Sequence, residues 1–189
     1  MKITPTWLAE LAVVEPRVFE DERGWFMESY NEPVFDAALA QAGLAPAGRF
    51  VQDNHSASRQ GVLRGLHYQL PPFAQGKLVR VTHGVVWDVA VDVRKSSATF
   101  GQWLGIELSA ANRKQLWIPP GFAHGFVTLS ETAEFLYKTT AVYDKASERA
   151  IVWNDPHLAI DWPLPQGVQA LLAAKDAQAP VWAQADFFD

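Results

Sequence analysis

The sequence predicts an all-β sandwich or jelly roll with a few short peripheral helices, and three observations carry that expectation. Between residues 61 and 154 the chain breaks into short runs rich in Val, Ile, Trp, Phe and Thr, the residue types that suit a pleated, packed surface. Turn signals at His83-Gly84, Phe100-Gly101 and Pro119-Pro120-Gly121 separate these runs, as they do between the strands of a sandwich. Over residues 85–93 every odd position is apolar, while the even ones include Asp88 and Asp92. That is the two-residue period of a half-buried strand, and it suits antiparallel pairing.

Taken along the chain, Asn31-Glu32-Pro33 supplies a cap and an early proline for a short helix. Val34, Phe35, Ala38, Leu39 and Ala42 follow at helical spacing, and Gly43 stops it. In residues 61–69, simple alternation places Arg64, Leu66 and Tyr68 on one face and Leu63, Gly65, His67 and Gln69 on the other. A bulge at Gly65 would instead bring Arg64 and His67 toward one pocket. Further strands are expected at 78–82, 103–108, 115–118, 125–129 and 134–140, and a last helix at 168–175. With no internal repeat, low-complexity tract or long linker in 189 residues, residues 1–189 read as a single domain.

Composition narrows the chemistry. The chain is 49% hydrophobic and 20% charged, as soluble globular domains are. It contains no cysteine, so catalysis falls to His, Tyr, Lys, Arg and carboxylates, without disulfides, thiolate nucleophiles or thiolate-bound zinc. A net charge of -5 argues against a general nucleic-acid binder, which needs a clustered basic surface. No run approaches the roughly 18 apolar residues of a membrane span. Pro5, Glu10 and Glu15 interrupt the start of the chain, which is unlike a secretory signal and leads us to expect a cytoplasmic protein.

Chemically capable residues concentrate in 52–56, 61–69 and 119–125. Singly, most have a bland reading. His67 fits a hydrogen-bonded histidine on a barrel wall, His124 follows a Pro-Gly turn, and His55, His83 and His157 suit structural or surface places. Lys77 reads as a solvated lysine at a strand end, or in a pocket as a stabiliser of developing negative charge. Tyr137 shares a strand face with Phe135 and Thr139, as a core residue would.

An ordered set of segments changes these readings. Residues 21–28 read Asp-Glu-Arg-Gly-Trp-Phe-Met-Glu; Gln52-Asp53-Asn54 is followed by Ser56 and Ser58, and then by residues 61–67 and Lys77-Leu78-Val79-Arg80-Val81. After these come Trp117-Ile118-Pro119-Pro120-Gly121-Phe122-Ala123-His124-Gly125-Phe126, Tyr137-Lys138-Thr139-Thr140 and Trp153-Asn154-Asp155-Pro156. From about residue 14 to about residue 182 the chain resembles the dTDP-4-dehydrorhamnose 3,5-epimerases, which act third in dTDP-L-rhamnose synthesis. The resemblance implies a cupin-type jelly roll acting as a homodimer without metal or organic cofactor. The residues speak to the metal independently. Metal-binding cupins usually open their first motif with His-x-His, whereas this chain has His67-Tyr68-Gln69, and two histidines alone make a weak transition-metal site.

The resemblance further implies a dTDP-4-keto-6-deoxysugar substrate, dTDP-4-dehydro-6-deoxy-D-glucose, inverted at C3 and C5 through enolates. His67 matches the base, Asp176 the carboxylate paired with it, Tyr137 the proton donor on the opposite face and Lys77 the cation near the C4 oxygen. Arg23 and Arg64 match the pyrophosphate contacts, and Tyr143 matches the residue that stacks on thymine. Glu28, Gln52, Asp53, Asn54, His124, Glu148 and Lys175 complete the binding set. Alanines at 173 and 174 stand where the family often has a polar residue before Lys-Asp. Arg23 and Glu28 lie early enough to reach a second subunit's site. Epimerases that invert only C3 or only C5 carry much the same residues. A sugar-nucleotide-binding jelly roll without activity would have no reason to keep an oriented base facing an acid. A metal-dependent cupin oxygenase is disfavoured by Gln69.

Overall fold

The computed structural model describes residues 1–8 and 10–189. Its strands are β1 (Lys2–Pro5), β2 (Ala12–Glu15), β3 (Val18–Asp21), β4 (Gly24–Met27), β5 (Gln52–Arg59), β6 (Leu63–Gln69), β7 (Lys77–His83), β8 (Val85–Asp92), β9 (Trp103–Ser109), β10 (Gln115–Ile118), β11 (Phe122–Thr128), β12 (Thr132–Thr139) and β13 (Glu148–Ala150). Helix α1 (Glu32–Gln41) follows β4, and a single turn α2 (Ala174–Ala177) lies near the C-terminus.

Two antiparallel sheets face one another as a jelly-roll sandwich. One has the order β1-β2-β10-β7-β12-β5 and the other β13-β6-β11-β8-β9, while β3 and β4 form a separate hairpin. Val79, Val81, Leu116 and Phe135 from the first sheet meet Val86, Ala90, Leu108 and Phe126 from the second in the central core. Each sheet is also covered on its outer face. Helix α1 lays Phe35 and Leu39 against Ala12, Val14, Leu78 and Trp117. The cap expected at Asn31 forms, its side chain accepting from the Val34 amide.

The second sheet's outer cover corrects the expectation for residues 85–93. The odd residues Val89, Val91 and Val93 do not face the central core; they pack beneath Leu158, Trp162 and Trp182 from the C-terminal segment. The even positions therefore point between the sheets, and Asp88 and Asp92 are fully buried rather than solvated. Asp92 is satisfied there by Arg94, Ser97 and Thr99. The strand is buried on both faces because chain sixty or more residues away closes over it.

The helix expected at 168–175 is a second correction. Leu171 instead bridges to Val62: its amide donates to Gly61 O and its carbonyl accepts from Leu63 N. Extended backbone bonds draw this stretch alongside β6, and only Ala174–Ala177 turns helical.

At Gly65 the bulge forms. His67 lies opposite His124 but Arg64 lies opposite Phe126, so three residues on β6 span two on β11, and side-chain alternation reverses between Arg64 and His67. Leu63 and Leu66 both face the outer core, which turns Arg64 and His67 inward together. Gly65 is required by its φ of +136° and by space, since a Cβ there would lie 2.5 Å from the Gly125 Cα.

Candidate active site

A cavity of about 390 Å³ opens between the two sheets. His67 on β6 and His124 on β11 come from one sheet; Lys77 on β7, Tyr137 on β12 and Asn54 on β5 come from the other. Asp176 and Lys175 close one side from α2, and Arg64, Tyr143 and Glu148 also border the space. Ten of the fourteen residues expected from the sequence thus meet around one cavity. Ser56, Gln75, Phe126 and Phe135 add wall that the sequence reading did not single out.

His67 Nε2 lies 2.7 Å from Asp176 Oδ1. The carboxylate is 2% exposed and accepts that N–H, so the other ring nitrogen keeps its lone pair. The turn of α2 places Asp176 109 positions from its partner. Opposite, the Tyr137 phenol is pushed above its ordinary pKa by burial, which keeps it protonated at neutral pH. Lys77 is 7% exposed and donates to the His67 carbonyl at 3.1 Å. Burial pulls its pKa down to about 8, while Asp88 and Glu148 act to raise it. It is therefore an ammonium at neutral pH with little solvent around it.

The rim is a linked set. Glu148 accepts from Lys175 Nζ and from the Tyr143 hydroxyl, both at 3.0 Å. Although burial raises its pKa, those two hydrogen bonds together with the nearby positive charge, Lys175 above all, outweigh it and hold Glu148 below the usual glutamate range. Gln52 lies just outside the cavity wall; it accepts from the Tyr143 amide and donates to Asn54 Oδ1, each at 2.9 Å, and so supports both neighbours. Asn54 Nδ2 is buried without a partner among the described residues.

Three expected residues stand elsewhere. Asp53 projects to the opposite face of β5 and pairs with Lys138 at 2.8 Å, because neighbouring strand residues point to opposite faces. Arg23 is on the β3–β4 hairpin, exposed and paired with Asp21 at 2.6 Å. Glu28 accepts from Asn31 at 3.1 Å.

Gln69 is committed to the backbone: it donates to the Phe73 and Val142 carbonyls and accepts from the Asp144 amide. That leaves His67 and His124, each with one ring nitrogen on a carboxylate, and two histidines alone make a weak transition-metal site. Among the described residues no three His, Cys, Asp or Glu side chains gather as a ligand set. Nor, among those residues, is any helix long and apolar enough to cross a membrane.

Residues 5–184 match the family model described as dTDP-4-dehydrorhamnose 3,5-epimerase. The chain belongs to the dTDP-4-dehydrorhamnose 3,5-epimerase family. It is 57% identical over 188 residues to the dTDP-4-dehydrorhamnose 3,5-epimerase of Pseudomonas aeruginosa, covering 100% of this chain and 99% of that one. A crystal structure of a dTDP-6-deoxy-D-glucose-3,5-epimerase from Legionella pneumophila, in complex with dTDP-4-keto-L-rhamnose, superposes with a TM-score of 0.89. That protein is 50% identical, with 98% and 94% of the two chains covered. Similarity to the 3'-monoepimerase of Streptomyces bikiniensis is lower, at 30% identity with 97% and 88% covered and a TM-score of 0.85. Within this epimerase family, the fold is the cupin-like jelly roll described above.

Asp88 is the functional candidate that sequence reading missed. Its signal was present: a carboxylate in the middle of a Val-rich strand is costly to bury without partners. Alternation places Asp88 on the face opposite the valines without showing that this face is buried too.

Proposed function

We propose that this chain converts dTDP-4-dehydro-6-deoxy-D-glucose to dTDP-4-dehydro-L-rhamnose by inverting C3 and C5, using its own side chains. One observation carries the reading: a histidine on one sheet, paired with a carboxylate from α2, faces a phenol and a buried ammonium on the other sheet across a cavity of about 390 Å³. Epimerisation needs that opposition, because the proton leaves one face of a carbon and returns to the other.

The C4 carbonyl acidifies the hydrogens on C3 and C5. The free imidazole nitrogen of His67 takes one of them, and the C–H electron pair moves into an enolate with negative charge on O4. Asp176 stabilises the imidazolium formed and fixes its orientation. The Lys77 ammonium, 7% exposed, stabilises the oxyanion with little water to screen it. Tyr137 then returns a proton to the opposite face, and exchange with water reprotonates the phenol and deprotonates the imidazole before the second inversion.

Arg64 offers a forked, charge-assisted contact to the pyrophosphate. Tyr143, 54% exposed at the rim, supplies a stacking face for thymine, with Asn54, Glu148, Lys175 and His124 completing the pocket. We further propose that residues 1–189 are one domain working as a homodimer, in which Arg23 and Glu28 serve a second copy's cavity. Their absence from their own cavity supports this, as does the exposure of Trp25 and Phe26, 53% and 68%, on the same hairpin. Inversion at both centres is favoured over a single centre by the greater identity to 3,5-epimerases than to the 3'-monoepimerase.

The test is NMR of the ketosugar with metal-stripped protein in deuterated water. Deuterium at C3 and C5 with both centres inverted supports the reading. Exchange at one carbon alone makes the chain a single-centre epimerase, and nucleotide binding without exchange refutes the chemistry.

A further inference from the structure

The register of β6 and β11 sets two histidine–carboxylate pairs side by side. His124 is the direct cross-strand partner of His67. Its Nε2 lies 2.9 Å from Asp88 Oδ2, much as His67 meets Asp176. The carboxylates differ in place, however. Asp176 borders the cavity, whereas Asp88 is not part of its lining and is 0% exposed. Asp88 Oδ1 has no hydrogen-bond partner among the described residues. A carboxylate kept in such a place, where desolvation costs several kcal/mol, is retained against a stability penalty unless a nearby positive charge compensates it.

We propose that Asp88 is a positioning residue for the epimerisation, holding His124 as a neutral imidazole with its second ring nitrogen free to accept from a sugar hydroxyl, and acting as the buried counter-charge that keeps Lys77 protonated. The proposal rests on the epimerase reading above.

The surroundings divide by charge. Asp88 from β8 and Glu148 from β13 are the negative groups that act on Lys77; the cavity it lines is also bordered by Asp176 and Lys175 from α2 and by Arg64 from β6. Burial holds His124 and Tyr137 toward their neutral forms. Among these groups Asp88 is the most buried carboxylate, and it acts more strongly than Glu148 to raise the Lys77 pKa against desolvation. His124 responds in the opposite sense: burial, with Lys77 and His67 adding to it, depresses its pKa more than Asp88 raises it. Its stacking against Phe135, with centroids 5.9 Å apart, fixes the ring plane. A carboxylate that accepts Nε2–H then selects the tautomer.

The test uses the full-length chain and Asp88→Asn, which preserves shape but removes the charge. NMR titration should find the Lys77 side chain ionising near pH 8 in the wild type and about 1 pH unit lower in the variant. The alkaline limb of kcat should move with it, giving about fivefold slower turnover at pH 8 and little change in KM. A merely structural Asp88 would depress activity equally across pH and leave Lys77 where it was, and that result overturns the proposal. Should the variant fail to fold, nitrogen-15 NMR of wild-type histidines decides: His124 must be a neutral Nε2–H imidazole throughout the neutral range, and an Nδ1–H tautomer or a titrating His124 overturns the idea. Wild-type protein that titrates as expected but turns over no ketosugar counts against the epimerase reading alone.

Discussion

Replacing Lys77 with methionine should stabilise the protein while nearly abolishing its activity. Lys77 is 7% exposed, and its pKa falls from 10.5 to about 8 in the fold. At about 1.36 kcal/mol per pKa unit, the charged form is disfavoured by about 3 kcal/mol on folding at pH 7. Methionine has similar length and no charge. Losing the hydrogen bond to the His67 carbonyl returns about 1 kcal/mol, leaving a net gain of about 2 kcal/mol. For a chain of this size that raises Tm by about 4–8 °C. The sign reverses the usual lysine case. Because the unfolded chain holds this proton more tightly, wild-type stability rises as pH passes from about 8 to 10.5, and the variant's advantage fades over that range. Turnover should fall by about a hundredfold to a thousandfold with little change in KM, as for other lost oxyanion stabilisers. Calorimetry at pH 7 and pH 10 with steady-state kinetics checks both halves. A lower Tm at pH 7, or turnover kept within a factor of about three, would refute the reasoning.

Asp176→Asn should keep the fold but lower kcat by up to about 10⁴, the scale known when a histidine's carboxylate becomes an amide and the tautomer is no longer fixed; substrate affinity measured by calorimetry should persist. Gly125→Ala places a Cβ 2.7 Å from the Arg64 carbonyl and 3.0 Å from the Gly65 Cα, so denaturant unfolding should show a loss of about 1–3 kcal/mol, with activity falling because Arg64 and His67 no longer turn inward together. Arg23→Ala should raise KM severalfold with the dimer intact, whereas Trp25→Ser with Phe26→Ser should shift light-scattering mass toward the monomer; a chain that is monomeric at assay concentration contradicts the proposed sharing of Arg23 and Glu28.

How much was legible in the sequence depended on the distance over which each inference had to reach. Alternation and turn residues located β7 to β12 within a few residues, and the Asn31 cap located α1, because those signals act locally. The bulge at Gly65 is visible as a possibility; the close approach of Gly125 on β11, which leaves no room for a Cβ on either residue, is not. Residues 85–93 show the limit. Alternation states which side chains share a face, yet it does not state what covers that face. Trp162 and Trp182 arrive from far along the chain to bury Val89 and Val91, which turns Asp88 inward. Residues 168–175 have helical spacing, but backbone bonds to β6 outweigh that weak preference. The proposed catalytic set rests on family resemblance, since no local rule joins His67 to Asp176. Asp53 stands apart from the cavity because three adjacent residues on a strand cannot all face one pocket.

The opposition of base and acid across the cavity is tested most directly by Tyr137→Phe in deuterated water, followed by NMR at C3 and C5 of the ketosugar. With His67 intact and the opposing proton donor gone, the account predicts exchange of substrate hydrogens with retained configuration, together with loss of the inverted product. Inversion at a near wild-type rate in this variant, or no exchange at all, would contradict the assignment of His67 as base and Tyr137 as the acid facing it.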